Sequence, residues 1–311
     1  MLKGARLLMT GMTGQVGASL ARLLSPHNEI SGLARFSKPG SREAVEALGV
    51  RPIACDYTSG DFTGVPDDFD YVLHVAADTW PETMDIGVTQ NAEGAGLLFN
   101  HFNKAKAWIY VSTTGVYWDH PDPWYQYKET DRCGGSTRIS TRFPYGTTKY
   151  CGEAVARTFS RLHNVPLTIP RLNWSYGSGG HGGLPVMVMS KIAAGQAIDR
   201  HPDWQFVGGP LHDTDMADHI EGFFAGATVG GNIVNWAGDD AIAMEDLVPW
   251  VAATMGLDHR FNVTHEATAY PRATDNTKRV AMVGECKVKW KDGFRRVLAE
   301  RFPDLKMNMV D

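Results

Sequence analysis

Thr10-Gly-Met-Thr-Gly-Gln-Val-Gly17 follows a short apolar run at 5–9 and opens a helical pattern at 15–24. A glycine triplet between strand and helix has a defined use. Gly11 permits the tight turn, Gly14 lets the backbone approach a pyrophosphate, and Gly17 lets the helix pack close to the strand. The helix start then offers free N–H groups and the positive end of its dipole to phosphate oxygens. The stretch predicts a dinucleotide cradle formed by Gly11, Thr13, Gly14, Gln15 and Val16.

Outward from the cradle, apolar runs at 29–33, 71–75, 108–111 and 166–169 alternate with helical periodicity at 41–48, 87–103 and 147–163. Strands separated by helices predict βαβ units, hence an α/β fold with a Rossmann-type, doubly wound parallel sheet. Such sheets bind ligands at the carboxyl ends of their strands. Residues 1–172 are expected to form the dinucleotide-binding domain and 173–311 mainly a smaller C-terminal substrate lobe, with 213–238 returning to the sheet. The glycine-rich 175–183 reads as a mobile loop, and His212, Asp213 and Asp215 read as a polar loop. Trp290, Phe294, Val297, Leu298 and Phe302 make one apolar stripe on a last helix.

Composition narrows the function classes. The 311 residues are 43% apolar and 21% charged, with a net charge of −5, so neither a polybasic nucleic-acid binder nor a disordered chain is indicated. No apolar run reaches the roughly 18 residues of a membrane helix. Cys55, Cys133, Cys151 and Cys286 are far apart, which points to reduced thiols and a cytoplasmic setting. No HExxH or CxxC spacing suggests a metal, and no GxSxG suggests a serine hydrolase. A small-molecule substrate is expected.

The end of the second strand, Ile30-Ser-Gly-Leu-Ala-Arg-Phe-Ser37, lacks the carboxylate that would hold a ribose 2′-hydroxyl. Arg35 stands where a guanidinium would pair with a 2′-phosphate, so NADP is preferred over NAD; stacking on the adenine is its other use. Asp56 and Tyr57 follow the third strand, Asp56 as an acceptor for the adenine amino group.

Tyr145 and Lys149 lie at i, i+4 at a helix start, on one face. A phenol with a pKa of about 10 is a poor base at neutral pH; lowering it by about three units takes roughly 4 kcal/mol, which a nearby ammonium and a cationic nicotinamide would supply. Tyr110-Val-Ser-Thr-Thr-Gly-Val-Tyr117 ends a strand at the carboxyl edge, where its hydroxyls can hold a substrate oxygen. This set suits proton transfer to or from an alcohol while hydride moves between carbon and nicotinamide.

With these motifs the chain resembles the extended short-chain dehydrogenase/reductase family, also called the NAD-dependent epimerase/dehydratase family. TGMTGQVG at 10–17 resembles its TGxxGxxG, and His74-Val-Ala-Ala77 its HxAA. Asn91-Ala-Glu-Gly94 resembles its NxxG helix, Val111 to Tyr117 its ST…VY strand end, and Pro144-Tyr-Gly-Thr-Thr-Lys-Tyr-Cys-Gly-Glu153 its PYGxSKxxxE. The resemblance implies that Tyr145 is the acid/base, Lys149 its activator and ribose ligand, and Thr113 the serine/threonine that positions the oxygen. It adds Val75, Ala76, Ala77 and Asn91 to the cofactor site, and a homodimer packed through the helices at 87–103 and 147–163.

The family includes reductases, sugar-nucleotide epimerases and dehydratases. The Asp-Glu pair that follows the threonine in dehydratases is Thr114-Gly115 here. In Arg171-Leu-Asn-Trp-Ser-Tyr-Gly177, Asn173 stands one position before the usual asparagine and Trp174 takes its place. The leading expectation is therefore an NAD(P)-dependent oxidoreductase acting on a carbonyl or alcohol of a small organic substrate. A sugar-nucleotide epimerase with retained NAD is the alternative. Thr114, Trp118, Asn173, Trp174 and His181 are substrate candidates. Trp80, Trp118, Trp124 and Trp174 either line an apolar pocket or serve as loop anchors and core, and His181 either reaches substrate or faces water.

Overall fold

The computed structural model describes residues 1–134, 144–266 and 270–310. The elements run β1 (Arg6–Thr10), α1 (Gln15–Leu24), β2 (Glu29–Ala34), α2 (Ser41–Glu46), β3 (Arg51–Ala54) and β4 (Tyr71–His74). Next come α3 (Met84–Val88), α4 (Gly94–His101), β5 (Ala107–Tyr110), β6 (Ser112–Thr113), α5 (Tyr145–His163) and β7 (Leu167–Leu172). They are followed by β8 (Ser175–Tyr176), α6 (Gly183–Ala193), β9 (Ile198–Arg200), β10 (Val207–Gly208), β11 (Leu211–His212) and α7 (Asp213–Ala225). The chain ends with β12 (Asn232–Trp236), β13 (Ile242–Ala243), α8 (Met244–Met255), β14 (Phe261–Val263), α9 (Thr277–Val283) and α10 (Trp290–Arg301).

The main sheet is parallel throughout, in the order β12-β7-β5-β4-β1-β2-β3, with β6 also paired to β7. This is the doubly wound arrangement expected from the alternating pattern. Side chains of successive strand residues point to opposite faces. Leu7, Met9, Leu73 and Ile109 accordingly pack with Leu20 of α1 and Ile220 and Phe223 of α7. Leu8, Val72 and Trp108 pack on the other face with Leu98 and Phe99 of α4. A second core joins Trp174, Val186, Val248, Phe294 and Leu298, contributed largely by α6, α8 and α10.

Three segments depart from the sequence reading. The helix expected over 87–103 begins with α3 at Met84, because Thr83 caps it by accepting the Ile86 N–H at 3.2 Å. It then widens into a π turn over Thr89–Glu93 before α4. His212, Asp213 and Asp215 are not a loop. His212 caps α7 through the Thr214 N–H, and Asp213 pairs with Arg22 of α1 at 3.0 Å. The glycine-rich segment is tied down. Gly179 packs on Ser19 and Gly180 on Gln15, and the Arg301 guanidinium donates to the carbonyls of Ser178 and Gly180 at 2.9 and 3.0 Å. Glycine here provides close approach to α1, so its composition signals packing as much as freedom.

Candidate active site

The glycine turn has the geometry its residues implied. Gly11 sits at φ +78°, and a Cβ there would lie 2.7 Å from the Ala76 nitrogen. A Cβ on Gly17 would overlap the Gly11 carbonyl oxygen. Gly14 caps α1 in an extended conformation without a side-chain cap, and the first turn holds no acidic residue. The helix end is thus left polarised towards an anion. Thr13 and Gly14 are exposed; Gln15 and Val16 are half-buried, the Gln15 side chain accepting the Gly182 N–H.

Thr10 joins this turn to the end of β4. Its hydroxyl oxygen accepts the Val75 and Ala76 N–H groups, each at 3.1 Å, and lies 2.8 Å from His74 Nδ1. With both amides donating to it, the hydroxyl proton is directed at His74 Nδ1, which places the ring proton on Nε2. Burial drives the His74 pKa down to about 3, with a further push from Lys149, so the imidazole is neutral. Val75, Ala76 and Ala77 follow as a half-buried rim beside the turn.

Just beyond β2, Arg35 is exposed; hydrogen bonds from Thr58 hold the Asp56 carboxyl low with a smaller push from Arg35, and burial raises Tyr57 against the opposing charge of Arg35. Phe36, next to it, takes φ +51°, a left-handed conformation rare for a bulky residue, with the Arg42 guanidinium 5.9 Å from its ring centroid. The Asp56 carboxylate accepts the Thr58 N–H and hydroxyl, so it is already engaged locally. Tyr57 is packed against Gly94, and its ring meets His74 edge-on at 5.7 Å.

Tyr145 is the first residue of α5, which places Lys149 one turn deeper on the same face. Thr113, at the end of β6, lies close enough to the Tyr145 side chain to favour its phenolate and accepts the Gly115 N–H at 3.1 Å. Burial raises the Tyr145 phenol to about 12, against a weaker lowering by Thr113. The lowering expected from sequence includes the ring charge of a bound nicotinamide; within the chain itself burial is the dominant influence on the phenol. Lys149 is fully buried, and burial lowers its pKa to about 7, opposed by Glu153. Its Nζ sits 3.9 Å from the centre of the Tyr110 ring and has no hydrogen-bond partner among the described residues. A buried ammonium with unused donors, beside a cradle a Cβ would fill, fits a nucleotide cofactor whose ribose hydroxyls accept hydrogen bonds.

Asn91 lies in the π turn and is hydrogen-bonded within the protein. Its Oδ1 accepts the Asp78 N–H at 2.8 Å, and its Nδ2 donates to the Asp78 carbonyl and the Thr148 hydroxyl at 2.9 and 3.0 Å. It braces the segment after β4 against α5. Ser112 is also committed: its hydroxyl donates to Glu153 at 2.6 Å. The Arg171 guanidinium completes that carboxylate's shell at 2.9 and 2.7 Å.

The substrate candidates divide. Thr114 is buried, 3.3 Å from the Asn173 side-chain nitrogen. The Asn173 oxygen accepts the Trp174 and Gly209 N–H groups at 2.8 and 3.2 Å, so this residue knits strands together. Trp174 is core, with its ring edge-on to Phe206 at 4.7 Å. Trp118 stacks under the Arg132 guanidinium at 4.1 Å, Trp124 donates to Gln205, and Trp80 is exposed. His181 is exposed on the glycine-rich segment, its ring accepting the Gly183 N–H. An open cavity of about 490 Å³ between Gly238, Asn276 and Lys289 contains none of the tyrosine site's residues.

Residues 7–203 match the NAD dependent epimerase/dehydratase family. The chain belongs to that family. It is an NAD(P)-dependent enzyme of the short-chain dehydrogenase/reductase superfamily. A dTDP-4-dehydrorhamnose reductase from Aggregatibacter actinomycetemcomitans is 26% identical over 257 residues, covering 78% of this chain and 76% of its own. The fold is shared with a UDP-glucuronic acid 4-epimerase from Bacillus cereus solved with UDP-glucuronic acid and NAD (TM-score 0.79, 18% identity, 93% of this chain and 96% of the other). It is shared equally with a dTDP-glucose 4,6-dehydratase from Streptomyces venezuelae solved with NAD (TM-score 0.79, 20% identity, 95% and 96%).

Two residues of this epimerase/dehydratase-family enzyme escaped sequence reasoning. Tyr110 presents its ring to Lys149 and donates its hydroxyl to the Asn91 carbonyl at 2.7 Å, so it floors the site. Glu153 was visible four residues beyond Lys149, but only the fold brings Arg171 and Ser112 to it.

Proposed function

We propose that the enzyme interconverts a carbonyl and an alcohol on a small organic substrate, with Tyr145 as the proton donor or acceptor. The observation that carries this reading is the placement of Tyr145 beside Thr113, one helical turn from a buried ammonium at Lys149 that has no hydrogen-bond partner among the described residues. Thr113 would hold the substrate oxygen while the Tyr145 phenol passes its proton. Lys149 would stabilise the phenolate electrostatically and donate to the cofactor's ribose. Bound NAD(P) would supply the hydride donor or acceptor and, when oxidised, a positive ring charge. The cradle of Gly11, Thr13, Gly14, Gln15 and Val16 would hold the pyrophosphate. Arg35, exposed at the β2 edge, supports NADP over NAD.

The test is a screen of NADPH and NADH oxidation over ketones, aldehydes and keto-sugar nucleotides, with the cofactor content of the purified protein measured alongside. Stoichiometric NADPH consumption with little retained cofactor supports the reductase. Retained NAD with no net turnover of added cofactor supports the second reading, a sugar-nucleotide epimerase, which the solved neighbours favour. Loss of both activities' signatures in the parent protein would sink the assignment.

Leu97, Tyr150 and Leu162 leave apolar surface exposed on α4 and α5, which supports a homodimer through these helices. Sedimentation velocity with Leu162→Glu tests it. No helix among the described residues is long and apolar enough to cross a membrane, and all four cysteines are free. Free thiols support a cytoplasmic setting.

A further inference from the structure

The short parallel pair β9–β14 lies in the second half of the chain. Its register aligns Arg200 with Val263, and the Thr264 N–H donates to the Arg200 carbonyl at 3.0 Å. Residues just beyond the two strand ends are therefore brought side by side although about sixty positions apart in sequence. They are His201, Asp203 and His265, whose candidate donor atoms all lie within 4.8 Å of one another. Nδ1 of His201 and Nδ1 of His265 each lie 3.8 Å from the same carboxylate oxygen, Asp203 Oδ2.

We propose that His201, Asp203 and His265 form a divalent transition-metal site that clips the end of β9 to the end of β14. Two imidazoles and one carboxylate are the donor set of zinc, nickel or copper, whereas magnesium and calcium require oxygen shells. Around a tetrahedral zinc with bonds of about 2.0–2.2 Å, neighbouring donors sit roughly 3.3 Å apart. The 3.8 Å spacings thus need a contraction of about half an ångström, and the spacing between the two imidazoles, within 4.8 Å, one of up to about 1.5 Å. Asp203 and His265 are 67% and 76% exposed, free enough of packing to make that movement.

His201 supplies the fixed donor. It is buried, and its ring stacks on Trp204 with centroids 3.3 Å apart. Its Nδ1 accepts the Asp203 N–H at 3.1 Å, a neutral bond that metal ligation would replace. A carboxylate and two neutral imidazoles carry one negative charge, so a divalent ion is bound with net favourable electrostatics, and solvent fills the remaining position. The site also adjoins the segment that follows β6. Trp204 packs on Tyr270 at 5.3 Å, and the Tyr270 hydroxyl donates to the His120 carbonyl at 3.0 Å.

The experiment is calorimetric titration of Zn²⁺ into the full-length, untagged protein after chelator treatment, repeated with His265→Ala and with Asp203→Asn. Both substitutions are at exposed side chains, so the fold is retained. The parent is expected to bind one equivalent, and each variant to bind roughly tenfold or more weakly. A zinc-dependent rise in melting temperature should be present in the parent and lost in both variants. Equal affinity in parent and variants, or no saturable binding by the parent, would overturn the site. Neither readout depends on turnover.

Discussion

Two turns of one helix, α5, carry buried polar groups in opposite condition. At Glu153 both carboxylate oxygens are paired, by Ser112 and Arg171, and Arg171 also faces the Tyr117 ring at 4.8 Å. At Lys149, four residues earlier, an equally buried ammonium has an aromatic face and no hydrogen bond among the described residues. A satisfied buried charge serves the fold, and an unsatisfied one is a cost tolerated where chemistry needs it. Burial is the same for both, so it is the partnering that separates Glu153 from the proposed catalytic Lys149.

The comparison breaks first at Tyr145. Tyr145→Phe should lower kcat by about 10²–10⁴-fold, as loss of a positioned acid/base does, with folding stability little changed. Steady-state kinetics beside urea denaturation measure both. Retained turnover would remove Tyr145 from the chemistry.

Glu153→Ala should do the reverse. It strands the Arg171 guanidinium without its partner, a loss of roughly 3–5 kcal/mol in unfolding free energy. A loss under about 1 kcal/mol would mean that the pair behaves like a surface bridge.

Lys149→Met should stabilise the cofactor-free protein while disabling it. Burial holds the folded pKa near 7, whereas the unfolded side chain keeps its usual 10.5. Below 7 both states are charged and the folded state bears the full penalty. Between 7 and 10.5 the unfolded state binds more protons, so the parent gains stability as pH rises. The variant's advantage should be largest near pH 6 and shrink through pH 9. A pH-independent gap between the denaturation midpoints would contradict the burial account.

The smallest effect is expected at Arg35, an exposed cation at the cofactor edge. Arg35→Ala should raise the KM for NADPH about tenfold, the scale of one charge-assisted contact, and leave that for NADH nearly unchanged. Equal changes for both cofactors would assign Arg35 to adenine stacking.

Local signals read well because they are local. Gly11 needs a positive φ and Gly17 a bare Cα for reasons internal to a strand–turn–helix unit, and the parallel order follows from alternating strands and helices. The helix spacing of Tyr145 and Lys149 required only a period of 3.6 residues. Where the reading fell short, distant partners decided. His212 and Asp213 became a capped helix start held by Arg22. The π turn at Asn91 arises where its side chain reaches Asp78 and Thr148, contacts that no window of sequence contains.

The cradle, the sheet and the tyrosine–lysine spacing were all legible in the residues, since each rests on chain geometry over a short span. Tertiary structure alone decided the electrical state of that pair. Desolvation depends on everything packed around a group, and here it drives the phenol up to about 12 and the ammonium down to about 7.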